Sequence, residues 1–118
     1  MNTFDLAHFD EIWAVDFEFG VSAGERPAPV CLVAHELNTK KRVCLFQKEM
    51  AALKEPPYSI GKSSLFIAYY ASAEMTCHLA LGWPLPQNVL DLYVEFKRLT
   101  NGRKLDHGAG LLGALAYF

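Results

Sequence analysis

Trp13, Val15, Phe17 and Phe19 alternate along residues 12–20 with Ala14, Asp16 and Glu18. A period of two marks a β-strand, whose successive side chains leave on opposite faces. Asp16 and Glu18 therefore share one face. Gly20 and the polar segment 21–27 end the strand and leave the acidic pair near its exit. Pro27, Ala28 and Pro29 lead into a β-forming run at 30–37; 38–42 is a polar turn and 43–46 a third strand. Strands joined by a short polar turn pair as hairpins, so 12–46 is predicted as a three-stranded antiparallel meander.

Further along, 47–53 suits a short helical turn, whereas the prolines and glycine of 54–62 permit only a loop. The continuous apolar run 64–70 reads as a buried strand. Ala71, Met75, His78 or Leu79, and Gly82 recur at helical spacing over 71–82, and Gly82, Trp83 and Pro84 stop that helix. A short strand at 86–93, a helix at 94–100, a loop at 103–108 and an apolar helix at 109–118 complete the chain. The pattern predicts one α/β domain: a mixed five-stranded sheet with an antiparallel three-stranded meander and flanking helices. Residues 1–11 read as a lead-in that packs the rings of Phe4 and Phe9 with Leu6, and His8 as a surface residue.

With 118 residues and 52% hydrophobic content, the chain supports a single packed core. A net charge of −2 gives no general attraction to nucleic acid, although a phosphodiester held through metal ions needs less protein charge. Three widely spaced cysteines, Cys31, Cys44 and Cys77, fit reduced thiols better than disulfides. No run is long enough to cross a bilayer and the N-terminus lacks a basic segment followed by an apolar one, so a cytoplasmic protein is expected. The uncovered apolar face of the last helix predicts self-association.

Two carboxylates on one face raise each other's pKa unless a cation neutralises them, and hard cations such as magnesium prefer carboxylate oxygens. Asp-x-Glu on the wet face of an edge strand needs no function at all. The apolar setting of this strand, central rather than peripheral, favours the metal reading. Glu74, in the first turn of the helix after the fourth strand, adds a third carboxylate where that strand exits. Three other pairs, His35 with Glu36, Cys77 with His78 and Asp106 with His107, lack zinc-site spacing, so Cys77 and His78 read as packing residues. Asp91 either joins the acids or, as is usual at a strand end, caps the following helix. Lys62, Lys97, Arg98, Arg103 and Lys104 form a solvated face more readily than a phosphate contact, given the net charge.

In this order of elements, with acids at Asp16, Glu18 and Glu74, the chain resembles the ribonuclease H-like fold and, within it, the DnaQ-like 3′-to-5′ exonuclease superfamily. The proofreading exonuclease domain of bacterial family A DNA polymerases is the nearest resemblance. The first family motif, Asp-x-Glu, matches at Val15, Asp16, Phe17, Glu18 and Phe19. Residues 88–93 and 110–115 look like the family's later strand and the helix after it. The second motif departs: where the family has Asn, two or three residues, an aromatic and Asp, this chain has Tyr70, Ala71, Ser72, Ala73 and Glu74. The third motif, His or Tyr shortly before a final Asp, is missing.

The resemblance implies phosphodiester hydrolysis with two Mg2+ or Mn2+ ions roughly 3.5–4 Å apart. Asp16 would bridge both ions, Glu18 would ligate one and orient the attacking water, and Glu74 would hold the second. Single-stranded DNA, a 3′ terminus or RNA is the implied substrate. The missing motif implies the N-terminal part of a longer domain, incomplete at its C-terminus and weak or inactive alone. The alternative is a catalytically dead ribonuclease H-like module that acts in binding or assembly.

Overall fold

The computed structural model describes residues 5–20 and 25–118. The opening residues Met1 to Phe4, including the ring expected from Phe4, and residues 21–24 of the polar segment expected to end the first strand lie outside the described residues. Five strands form one sheet: β1 (Glu11–Gly20), β2 (Ala28–Glu36), β3 (Arg42–Phe46), β4 (Ser64–Ala68) and β5 (Val89–Asp91). Their spatial order is β3-β2-β1-β4-β5. β1, β2 and β3 pair antiparallel, as the meander requires, whereas β4 runs parallel to β1 and β5 parallel to β4. Among the described residues four α-helices flank the sheet: α1 (Gln47–Ala51), α2 (Ala71–Leu81), α3 (Leu92–Leu99) and α4 (Leu111–Tyr117). The α/β class and the mixed five-stranded sheet are those expected from the pattern.

Alternation decides which side of the sheet becomes the core. Trp13, Val15 and Phe17 of β1, Leu32 and Ala34 of β2 and Phe66 of β4 are buried together under Met50 of α1 and Ala71 and Cys77 of α2. The loop 52–63, irregular as expected, contributes Tyr58 to that core, and Trp83 closes it behind α2. Trp83 is held there by its indole N–H, which donates to the Leu53 carbonyl at 3.0 Å. The opposite face carries a smaller cluster of Ile12, Leu65 and Ile67, with Phe9 and Leu90 packed against it.

β1 is the central strand, yet its ladder with β4 stops at Ala14 opposite Ile67. The next six residues run on beside β2 alone. A register shift between Glu18 and Phe19 places Glu18 opposite Cys31 and Phe19 opposite Pro29, which makes Val30 the extra residue on β2. The irregularity falls on the partner strand, so β1 keeps its alternation and both acids stay on one face.

α3 and α4 pack on each other through Phe96, whose ring meets Tyr117 at 5.5 Å and Phe118 at 6.1 Å. The Tyr69 hydroxyl, at the end of β4, donates to the Ala109 carbonyl just before α4. The close approach of α4 depends on Gly113: a Cβ there would stand 2.3 Å from the Gly108 carbonyl oxygen and 2.5 Å from that of His107. Gly113→Ala is expected to unseat α4 at a cost of about 1–3 kcal/mol. Urea denaturation together with faster proteolysis within 103–118 measures it, with the sheet amides keeping their hydrogen-exchange protection.

Candidate acidic site at the end of the central strand

β1, β4 and β5 are parallel, so their C-terminal ends share one rim of the sheet. In open α/β sheets that rim is where ligands bind. Asp16 and Glu18 lie on the part of β1 that extends past β4, and both are exposed. Centrality in the sheet does not bury them, because the neighbouring strand ends first. Although exposed, the Asp16 carboxyl is raised above its ordinary range, first by partial loss of hydration against the sheet and then by the Glu18 charge.

Glu74 arrives from the other direction. α2 packs over the Trp13 and Phe17 face, opposite the acidic pair, and Glu74 is only 4% exposed. Its Oε2 accepts the backbone N–H of Phe17 at 2.9 Å, between Asp16 and Glu18 along the strand. This carboxylate thus takes the place that a carbonyl of β4 would hold had the ladder continued. Burial above all, then Asp16, push the carboxyl up to about 8, against the opposing pull of the Phe17 N–H; Glu18 adds to the rise. Asp16 and Glu18 thus stand on one face of this stretch of β1, and Glu74 reaches its edge from the opposite face. Among the described residues, however, no three His, Cys, Asp or Glu side chains are grouped so as to hold a metal ion.

Behind Glu74 lies a closed polar pair. His78 is fully buried, with Nδ1 2.9 Å from the Pro84 carbonyl and Nε2 2.5 Å from the Tyr58 hydroxyl. A carbonyl only accepts, so Nδ1 carries the proton and Nε2 accepts from Tyr58. Phe17, Phe66 and Trp83 enclose the ring. Burial lowers the His78 pKa despite the Pro84 contact. Burial, then the Glu74 charge, raise the Tyr58 hydroxyl and push the Cys77 thiol up to about 12. Cys77 and His78 are core residues, as their spacing suggested.

Asp91 does more than the sequence suggested. It caps α3, accepting from the Tyr93 and Val94 amides at 2.9 and 3.4 Å, and it also accepts from Tyr70 and Ala71 at 3.0 Å each. One carboxylate thus fastens the start of two helices at the rim. Its grip holds Tyr70 at φ +71, a left-handed conformation that is a genuine outlier for a bulky side chain. Tyr70 is more than half exposed and meets the ring of Tyr93 edge-on at 5.2 Å. Nothing in the sequence announced this strained position.

Glu36 was missed altogether as an anchor. Only 1% exposed, it accepts from the Ile12 amide at 2.9 Å and from the Thr39 amide and hydroxyl at 2.5 and 2.9 Å. These donors, the Thr39 amide first, hold the carboxyl down at about 2. The signal was its register with Leu32 and Ala34, which puts it on the core face of β2.

No protein-family model matches the chain, and no curated protein matches it. Among the described residues no helix is long and apolar enough to cross a membrane.

Proposed function

We propose that the chain is a ribonuclease H-like domain of the DnaQ-like 3′-to-5′ exonuclease type, built for metal-dependent hydrolysis of nucleic-acid phosphodiesters. The observation that carries this reading is the pair of exposed carboxylates, Asp16 and Glu18, on one face of the overhanging end of β1, with Glu74 near enough for their charges to raise its carboxyl. The strand order, an antiparallel meander extended by two parallel strands, supports it. Carboxylate oxygens are the donors hard divalent cations prefer, and magnesium needs only one or two of them when substrate phosphate completes its shell. Asp16 and Glu18, exposed on one face, are the two that fit first; Glu74 joins when it releases its proton. Asp16 and Glu18 would hold Mg2+ or Mn2+, which would supply neutralisation of the scissile phosphate and activation of water near neutral pH. The chain's own part is to hold single-stranded DNA, a 3′ terminus or RNA at the rim and to keep Glu74 beside the Phe17 amide.

One observation favours the second reading, a catalytically dead module used in binding or assembly. Glu74 is already committed to the Phe17 amide, and among the described residues no three-ligand group stands ready. Digestion of 3′-labelled single-stranded DNA in Mn2+ separates the two. The nuclease reading expects slow shortening of the strand, stopped by chelator and reduced at least about 100-fold in Asp16→Ala. A wild-type chain that neither cleaves nor changes its melting temperature on adding Mn2+ supports the binding module instead.

A further inference from the structure

We propose that Tyr70 stacks on an unpaired base of the nucleic acid held at the acidic pair, and so selects single-stranded over double-stranded substrate. The inference rests on the nuclease reading above and names what that site takes beside the phosphate. Strain is the first sign. Tyr70 caps α2 at φ +71, and Asp91 keeps it there by accepting the Tyr70 and Ala71 amides at 3.0 Å each. Backbone held in a sparsely populated region costs free energy, and such residues cluster at active sites and ligand clamps. A buried ring would offset that cost by packing; this residue is 53% exposed. Glycine or asparagine accepts the same backbone more readily, so packing does not account for a tyrosine here.

Position is the second sign. Leu65 and Ile67 of β4 lie with Ile12 of β1 on one face of the sheet, the face that alternation also gives to Asp16 and Glu18. Tyr69 follows Ile67 onto that face, where its hydroxyl is tied to the Ala109 carbonyl and its ring meets Tyr93 at 5.8 Å. Tyr93 in turn meets Tyr70 edge-on at 5.2 Å, so the exposed ring leans toward the acids' side of the sheet. A contact of that kind covers at most one face of the Tyr70 ring and leaves the other for a ligand. Along the rim, Glu74 follows Tyr70 by one turn of α2 and touches β1 at Phe17, between Asp16 and Glu18. One helical turn of about 5.4 Å and one strand spacing of about 4.8 Å therefore separate the ring from the acidic pair. A single nucleotide covers that distance from phosphate to base. Stacking tolerates any sequence, because every base has a π-face, but it requires a base released from its partner strand.

Fluorescence anisotropy of the full chain in Mn2+ tests the stacking, with a short 5′-labelled thymidine strand and the same strand ending in an abasic residue. The wild type is expected to bind the strand with a terminal base at least about 5-fold more tightly. Tyr70→Phe keeps that preference. Tyr70→Asn and, separately, Tyr70→Gly lose it, although both suit the left-handed backbone and melt no more than about 3 °C below wild type. A blunt duplex of the same length is expected to bind no better than the abasic strand. Equal wild-type affinity for the two single strands overturns the proposal. So does a preference that survives in Tyr70→Asn and Tyr70→Gly, one that Tyr70→Phe also loses, or a duplex bound as tightly as the single strand. Shortening of the strands is read separately: cleavage without a base preference sinks the stacking and leaves the nuclease, whereas a Tyr70-dependent preference without cleavage does the reverse.

Discussion

Raising the pH from about 6 to about 8.5 is expected to lower the melting temperature of the wild-type chain by roughly 5 °C, and Glu74→Gln to flatten that fall. The Glu74 carboxyl is held at about 8 in the folded protein against an ordinary 4.5. Folding therefore favours the protonated form. The stabilisation is fully present below the unfolded value and is lost as the pH rises through the folded one. His78, lowered by burial, is neutral in both states above about 6.5 and does not oppose the trend there. Asp16, raised, acts in the same direction, and Tyr58 and Cys77 add to it at higher pH still. Glutamine keeps an oxygen for the Phe17 amide but cannot ionise. Under the proposed function, Mn2+ at pH 8.5 restores the wild-type melting temperature and fails to do so in Asp16→Ala. Differential scanning fluorimetry across the pH range reads all three proteins. A wild-type curve that stays flat, or a Glu74→Gln curve that falls in parallel, rules out a buried neutral carboxyl at this position.

Glu36→Ala is expected to be the most damaging substitution of a charged residue outside the site, lowering the melting temperature by roughly 10 °C at neutral pH. It leaves the Ile12 amide and both Thr39 donors without their acceptor, at the place where the β2–β3 turn is tied to the first residues of β1. Glu36→Gln, which keeps one acceptor oxygen, should lose less. The pH dependence is opposite in sign to that of Glu74. The folded carboxyl stands at about 2, below its ordinary 4.5, so its contribution is complete above that ordinary value and disappears as the pH falls through the folded one. The two carboxylates and His78 together place the stability maximum between about pH 4.5 and 6.5. An acid limb equally steep in wild type and Glu36→Ala counts against this role.

The strand layout was legible because its causes are local. Alternation in β1 and the polar turn before β3 fix the meander, and the continuous run of β4 signals a strand covered on both sides. Helix faces were less legible. Of the periodic apolar positions of 71–82, Ala71 and His78 are buried and Met75 packs half-buried against the core, but Leu79 is exposed, and Glu74 and Cys77 are buried in addition. Glu74 and His78 are drawn in by an amide of β1, a loop tyrosine and the Pro84 carbonyl, partners that hydropathy along one helix does not contain. The boundary of α3 moved for a related reason. The expected strand at 86–93 is cut to three residues because Asp91, by taking the Tyr93 and Val94 amides, starts the helix at Leu92. The acids of the candidate site are proposed from the Asp-x-Glu spacing and from the place of Glu74 after the fourth strand. The exposure of Asp16 and Glu18 was not legible, since it follows from β4 ending at Ala68 while β1 continues to Gly20.

Both tryptophans belong to the same buried cluster, Trp13 beside Tyr58 at 6.0 Å and Trp83 beside His78 at 5.5 Å. The Trp13 indole nitrogen has no hydrogen-bond partner among the described residues. Folded molecules should therefore emit at short wavelength, and the colour of that emission gives a built-in gauge of whether α2 remains seated on the sheet.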